Sequence, residues 1–275
     1  MVSIIILTKN EEKDLPRCLE AISWCDDVHV LDSGSTDETV LIAKNFGASV
    51  SFNEFISFGK QRNHALTNLQ IKYDWILFLD ADEVVTPAFK IELFQKTSNA
   101  ENNVAGYYCC WKMILEDTWL KHCDNFPKWQ FRVLRKERAT FTDFGHGQKE
   151  GDVDGDIKYI EEPYLHYGFS KGWYQWMERH NKYSSQEAKA RFDNKLPFKD
   201  IFESNTSKRN PALKSLLSKL PGWPFLRFVQ AYIFSLGFLE GKPGFIYCTN
   251  MAYYEFLIQI KMRELKMQSD NTQSK

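Results

Sequence analysis

The chain has 275 residues and a mass of 32.3 kDa, 43 % hydrophobic and 26 % charged, enough for one large α/β domain or a domain with a substantial appendage. Its formal net charge of −1 argues against a general nucleic-acid binder, which would be clearly basic. The six cysteines have no CxxC spacing and read as reduced thiols of a cytosolic protein, and no stretch reaches the roughly 18 uninterrupted apolar residues of a spanning helix.

The opening VSIIIL has no basic n-region before it and no small-residue cleavage site after it, so residues 2–7 are predicted to form a strand rather than a signal peptide. Asn10 is expected to cap a helix whose first turn carries Glu11 and Glu12, favourable beside the positive helix end. Residues 27–32 form a second strand. In the SGSTDET that follows, Ser35 and Glu38 fit an S-x-x-E capping box, which predicts a helix from about Thr36. Residues 48–52 form a short third strand, FGKQRNHAL a helix, and DWILFL a fourth strand. Thr86 and Pro87 then read as N-cap and first residue of another helix.

Strands separated by single helices imply right-handed crossovers, hence a mostly parallel sheet with helices on both faces. Ligands of such sheets bind at the carboxyl ends of the strands. TKNE, Asp32 and DADE all fall there, so three polar clusters are expected on one edge.

From about residue 104 to 167 the pattern turns to β-like runs that suit an added mixed or antiparallel edge, and 172–191 reads as a helix. An α/β domain over 1–192 is therefore expected, then a polar, proline-broken hinge at 193–210 and a helical, aromatic-rich region at 211–267. The polar residues 268–275 are expected to be a disordered tail.

The buried fourth strand ends in carboxylates at Asp80, Asp82 and Glu83. Two carboxylates at i and i+2 on a turn past a strand can face one divalent cation, and Mg²⁺ or Mn²⁺ so held keeps open positions for substrate phosphates. Helix capping by Asp82 is the plainer alternative. FLDADEVV also fits the nucleophile strand of a haloacid-dehalogenase-type phosphatase, with Asp80 attacking and Asp82 as acid/base, and GDVDGD at 151–156 matches that family's distal motif. Context opposes it. The distal motif lacks its preceding apolar strand, and the nucleophile belongs on the first strand of such a domain, not the fourth.

VSIIILTKNEE, VLDSGSTDET, FGKQRNHAL and WILFLDADE, in that order, resemble a family 2 glycosyltransferase of the GT-A fold. FPKWQFRVLRK, PYLHYGFSKGWYQWMERHNKYS and LGFLEGKPGFIY extend the resemblance, over about residues 1–260, to bacterial lipopolysaccharide-core and exopolysaccharide glucosyltransferases. Residues 1–192 would then be the catalytic domain.

The resemblance implies a UDP-hexose donor, a saccharide acceptor that is lipid-linked, and an Mg²⁺ or Mn²⁺ ion. Thr8 and Asp32 would surround uracil and ribose, with turn chemistry before Gly34 as the alternative for Asp32. Asn10 and Glu11 belong to the same edge, where Glu11 orients Lys9, touches nucleotide or is only a solvated helix turn. Arg62 is the candidate base or pyrophosphate contact, because a guanidinium forks two acceptors, and a surface salt bridge is its alternative. Asp80 and Ala81 would reach the ribose or donor sugar and Asp82 the metal. The resemblance makes His166 a second metal ligand, where a lone histidine after a strand is otherwise structural.

Inversion at the anomeric carbon needs a general base for the acceptor hydroxyl. Relatives carry an adjacent His-Glu pair, whereas GHGQKE separates the two here. The base is therefore open among Glu150, which leads, His146 and Asp143, and the departure also admits a non-catalytic nucleotide-sugar or glycan-binding protein. Arg132 and Arg135 face the acceptor or flank the sheet.

Between 204 and 239 there are Lys208, Arg209, Lys214, Lys219 and Arg227 and no acidic residue, with Trp223, Phe225 and Phe228 interspersed. That pattern predicts peripheral attachment to an anionic inner face of the cytoplasmic membrane, with a homodimer interface as the rival.

Overall fold

The computed structural model describes residues 1–144, 147–193, 202, 209, 216–218 and 220–273. The chain divides into two compact units, residues 1–119 with 126–171 and residues 120–125 with 172–275.

In the first unit, β1 (Val2–Thr8), β2 (Val28–Asp32), β3 (Ser49–Phe52) and β4 (Trp75–Asp80) alternate with α1 (Leu15–Ala21), α2 (Thr39–Asn45) and α3 (Phe58–Asn68). The four strands are parallel in the order β3-β2-β1-β4. Successive side chains point to opposite faces. Ile4, Ile6, Leu77 and Leu79 enter one core with Leu15, Leu19 and Phe89. Ile5, Ile76 and Phe78 enter the other with Ala65, Phe131 and Phe141. Burial on both faces is why these strands read as unbroken apolar runs.

After β4 come the two-residue strand β5 (Glu83–Val84) and α4 (Pro87–Ser98). The Thr86 hydroxyl accepts the Phe89 N–H at 3.1 Å, so the predicted cap with proline behind it is formed. β6 (Val104–Leu115), β7 (Thr118–Trp119), β8 (Trp129–Arg135) and β11 (Asp156–His166) complete the sheet. Among the described residues its order is β3-β2-β1-β4-β8-β6-β11-β5, with β7 on β6. β8 is antiparallel to both β4 and β6, which makes the sheet mixed as the β-like runs implied. β9 (Ala139–Phe144) and β10 (Gly147–Val153) form a separate hairpin.

Two helix starts differ from expectation. Asn10 caps no helix: its φ is +56°, and α1 begins only at Leu15. The capping box at Ser35 and Glu38 does not form, because the Ser35 hydroxyl is drawn to Asp32 at 2.5 Å. α2 then starts at Thr39 with no side-chain cap.

The second unit holds α5 (Trp173–Asp193), α6 (Trp223–Val229), a π turn (Gln230–Phe234), a 3-10 turn (Gly237–Glu240) and α7 (Gly241–Gln273). Ala188 of α5 packs with Tyr254 and Ile258 of α7, and Glu255 of α7 binds both Arg191 (2.8 Å) and the Trp223 indole N–H (2.9 Å). These contacts place α5 with the C-terminal helices, so the division falls at residue 171 where the sequence suggested 192. The predicted hinge at 193–210 lies outside the described residues except at 193, 202 and 209. α7 continues through residues 268–273, where a disordered tail was expected.

Candidate active site

Register aligns the strand ends. Thr8 pairs with Asp32 and Leu7 with Asp80, so TKNE, Asp32 and DADE share one edge as predicted.

Asp80 ends β4 with both carboxylate oxygens engaged. Oδ1 lies 3.1 Å from Arg62 Nη2 and Oδ2 lies 2.7 Å from Arg132 Nη2. The same Arg132 nitrogen is 2.6 Å from Glu83 Oε1, and Glu83 Oε2 accepts the Asp80 N–H at 2.9 Å. Arg62, Arg132 and Glu83 are buried, while the Asp80 side chain stays 35 % exposed. Burial disfavours the Asp80 anion, but Arg132 and Arg62 outweigh it and hold its pKa far below the carboxylate range. Burial pushes Glu83 the other way, to about 7, although Arg132 opposes this. Arg62 therefore corrects the sequence reading. With no exposed surface it is neither a pyrophosphate fork nor a surface salt bridge, but a buried counter-charge to Asp80. Arg132, 2 % exposed, likewise turns inward to Asp80 and Glu83.

Ala81, itself buried, carries the chain to Asp82. β5 pairs antiparallel with the end of β11, setting His166 opposite Glu83. This brings His166 Nε2 within 3.4 Å of Asp82 Oδ2, both side chains remaining partly accessible. Burial opposes the imidazolium, yet Asp82, then Glu83 and Asp80, raise the His166 pKa to about 9. The protonated ring supplies positive charge beside these carboxylates.

Two ligands in neighbouring octahedral positions at about 2.1 Å from a cation are about 3 Å apart, so the Asp82–His166 spacing fits one Mg²⁺ or Mn²⁺. Among the described residues no group of three or more His, Cys, Asp or Glu is placed to hold a metal. A two-ligand site suits these ions, which complete their shell with water and phosphate oxygens.

β1 leads into Glu11, whose partner is Lys171 rather than Lys9. Lys171 Nζ lies 2.5 Å from Glu11 Oε1 and 2.8 Å from the Asn10 carbonyl. Burial raises Glu11 to about 7 even against this cation. The Ser170 hydroxyl bonds Asp14 at 2.6 Å, so the segment after β11 is tied down over the β1–α1 loop. Lys171 gave no signal in the sequence, because its partners lie at the far end of the chain.

The turn chemistry considered for Asp32 is the arrangement formed. Its carboxylate accepts the Thr8 hydroxyl (3.0 Å), the Gly34 and Ser35 N–H groups (both 2.8 Å) and the Ser35 hydroxyl. Asn10 spans the same loops, its Oδ1 accepting the Thr36 N–H at 2.8 Å.

Of the three candidate bases, His146 lies outside the described residues. Asp143 Oδ1 accepts the Gly59 N–H at 3.0 Å in the first turn of α3, where backbone donors lack helical partners, so it serves as a tertiary cap. Glu150 sits opposite Phe141 in the hairpin, near the Tyr108 hydroxyl, whose pKa burial and the Glu150 charge raise to about 12.

Residues 3–149 match the model of the family described as Glycosyl transferase family 2. The chain is 27 % identical over 278 residues to an uncharacterized glycosyltransferase of Rickettsia bellii, covering 97 % of this chain and 87 % of that protein. It is 23 % identical over 267 residues to a lipopolysaccharide core biosynthesis glycosyltransferase of Rhizobium meliloti, covering 95 % and 91 %. Among solved structures it is similar to glucosyl-3-phosphoglycerate synthase from Mycobacterium tuberculosis in complex with phosphoglyceric acid. That similarity has 16 % identity and a TM-score of 0.45, over 69 % of this chain and 78 % of the other.

Proposed function

The chain belongs to glycosyl transferase family 2, and from that premise we propose that it moves a hexose from a UDP-sugar to a saccharide acceptor with inversion at the anomeric carbon. The observation that carries this reading is the Asp80–Ala81–Asp82 turn at the ligand edge of the sheet, with His166 facing Asp82 at 3.4 Å. The phosphatase alternative needs Asp80 as a free nucleophile, whereas two guanidinium groups engage both of its oxygens.

In this reading Asp82 and His166 hold the Mg²⁺ or Mn²⁺ ion, which when bound supplies Lewis-acid stabilisation to the departing diphosphate. Arg62 and Arg132 fix the Asp80 carboxylate so that its exposed side meets the ribose or donor sugar. The Asp32 turn, with Thr8 and Asn10, shapes the wall for the uridine. Glu150 takes the proton of the acceptor hydroxyl as the new bond forms to the anomeric carbon and the bond to UDP breaks. The Gly59 N–H on Asp143 ties that carboxylate to α3, which favours Glu150 as the base among the described candidates.

The acceptor in this reading is lipid-linked, and the enzyme attaches peripherally to an anionic membrane at its cytoplasmic face. The test is a panel of nucleotide sugars incubated with the enzyme and Mn²⁺ or Mg²⁺ without acceptor. Slow release of UDP from one UDP-hexose, abolished by EDTA, is expected. Release of inorganic phosphate from p-nitrophenyl phosphate, lost in Asp80→Asn, would instead establish the phosphatase.

A further inference from the structure

The second unit presents an apolar face that its own helices leave uncovered. α6 and the π turn form one helical stretch in which Phe225 (70 % exposed) and Leu226 recur, two turns on, as Ile233 and Phe234 (78 % exposed). Leu236 and Leu239 extend the exposed run. Ring packing makes the face continuous. Phe228 stacks on Tyr232 with centroids 5.2 Å apart, and Phe245 of α7 meets both edge-on at 5.8 and 5.6 Å. Trp223 and Phe228 are half-buried, the indole N–H of Trp223 being held by Glu255, so Phe225 is the exposed member of the three aromatics flagged in the sequence.

Apolar surface this extensive marks an interaction site, and its charge indicates the partner. Between residues 221 and 245 the charged side chains are Arg227, Glu240 and Lys242. Glu240 is buried and accepts the backbone N–H groups of His122 and Cys123, so the charge turned outward is positive. The preceding sequence adds four more cations from residue 204 onward and no acid. Cations around exposed aromatic and aliphatic side chains suit an anionic lipid surface. Among the described residues no helix is long and apolar enough to cross a membrane, so attachment through this face is interfacial.

We propose that residues 223–245 are the membrane-inserting element of this protein. Phe225, Phe234 and Leu239 enter the acyl boundary, and Arg227 and Lys242 meet the lipid phosphates. The proposal deepens the membrane-facing part of the functional reading above, which supplies the reason for docking.

The experiment uses the full chain and its Phe225→Ser/Phe234→Ser/Leu239→Ser variant, sedimented with vesicles of phosphatidylglycerol or of phosphatidylcholine. UDP binding with Mn²⁺ is measured calorimetrically on the same preparations. The natural chain is expected to bind phosphatidylglycerol at least tenfold better than phosphatidylcholine, with partial loss at high salt. The triple variant should lose binding at least tenfold with its thermal midpoint and UDP affinity unchanged, since the replaced side chains are solvent-exposed. If the triple variant misfolds, Arg227→Gln/Lys242→Gln serves instead, expected to weaken binding several-fold at low salt. Equal binding to both lipids, sedimentation that survives the folded variants, or a dimer that the triple variant makes monomeric would each overturn the proposal. Absence of UDP binding in every form would sink the functional reading and leave the vesicle result standing.

Discussion

A single nitrogen of Arg132 fastens both ends of the acidic turn, lying 2.6 Å from Glu83 Oε1 while it also bonds Asp80 at 2.7 Å. Arg132 and Glu83 are 2 % and 1 % exposed. Removing one partner of a buried ion pair leaves the other charge uncompensated, at a cost of about 3–5 kcal/mol. Arg132→Ala should therefore destabilise by that amount in urea unfolding and weaken UDP-sugar binding. Arg132→Lys should recover part of the stability, because one ammonium cannot reproduce the guanidinium geometry. Arg132→Met/Glu83→Leu should regain stability without regaining affinity. A loss below about 1 kcal/mol in Arg132→Ala would show that the pair does not organise the turn.

Asp82 and His166 are proposed to hold the cation, so UDP affinity should depend on Mn²⁺ or Mg²⁺ and fall with EDTA. Asp82→Asn and His166→Ala should each lose at least tenfold of the metal-dependent affinity while unfolding cooperatively. Calorimetry giving the same UDP affinity with EDTA as with Mn²⁺ would remove the metal from the site.

The metal-free protein should show a pH dependence of defined sign. The folded pKa of His166 is about 9, above its ordinary value of 6.5, because Asp82, Glu83 and Asp80 overcome the opposing effect of burial. A raised histidine pKa gives stability that is complete below pH 6.5 and is lost as pH rises through 9. In EDTA the loss should be about 3 kcal/mol across that window. Metal affinity should move oppositely, since the ligand imidazole must be neutral. His166→Gln should flatten both dependences, and an unchanged slope in that variant would assign them elsewhere.

The sheet was legible because strands buried on both faces leave unbroken apolar runs, and the Thr86–Pro87 helix start is purely local chemistry. The starts of α1 and α2 were not. Ser35 and Asn10 had tertiary or loop partners that outcompeted the local caps. The carboxylate turn was visible as a site, but its counter-charges were not, since Arg132 reaches it through the antiparallel pairing of β8 with β4. His166 could be suspected only from family resemblance. Its meeting with Asp82 depends on β5, a two-residue strand too short to leave a periodic signal.

Glu150 and Asp143 are separable by experiment. Glu150 lies near the neutral phenol of Tyr108, whose pKa its charge helps to raise. Asp143 is tied to the first turn of α3 by the Gly59 N–H. General base catalysis contributes about 10²–10⁴-fold, so Glu150→Gln should lower kcat for transfer by that range. Its UDP affinity and acceptor-independent release of UDP should stay near those of the natural chain, because water does not need the acceptor's alignment. Asp143→Ala should behave differently, losing about 1 kcal/mol of stability, as for a deleted helix cap, with kcat for transfer within a few-fold. Single-turnover transfer and urea unfolding of both variants give the comparison. If Asp143→Ala loses catalysis while Glu150→Gln keeps it, the base is Asp143 and the cap is incidental. If both keep it, the base lies outside this pair.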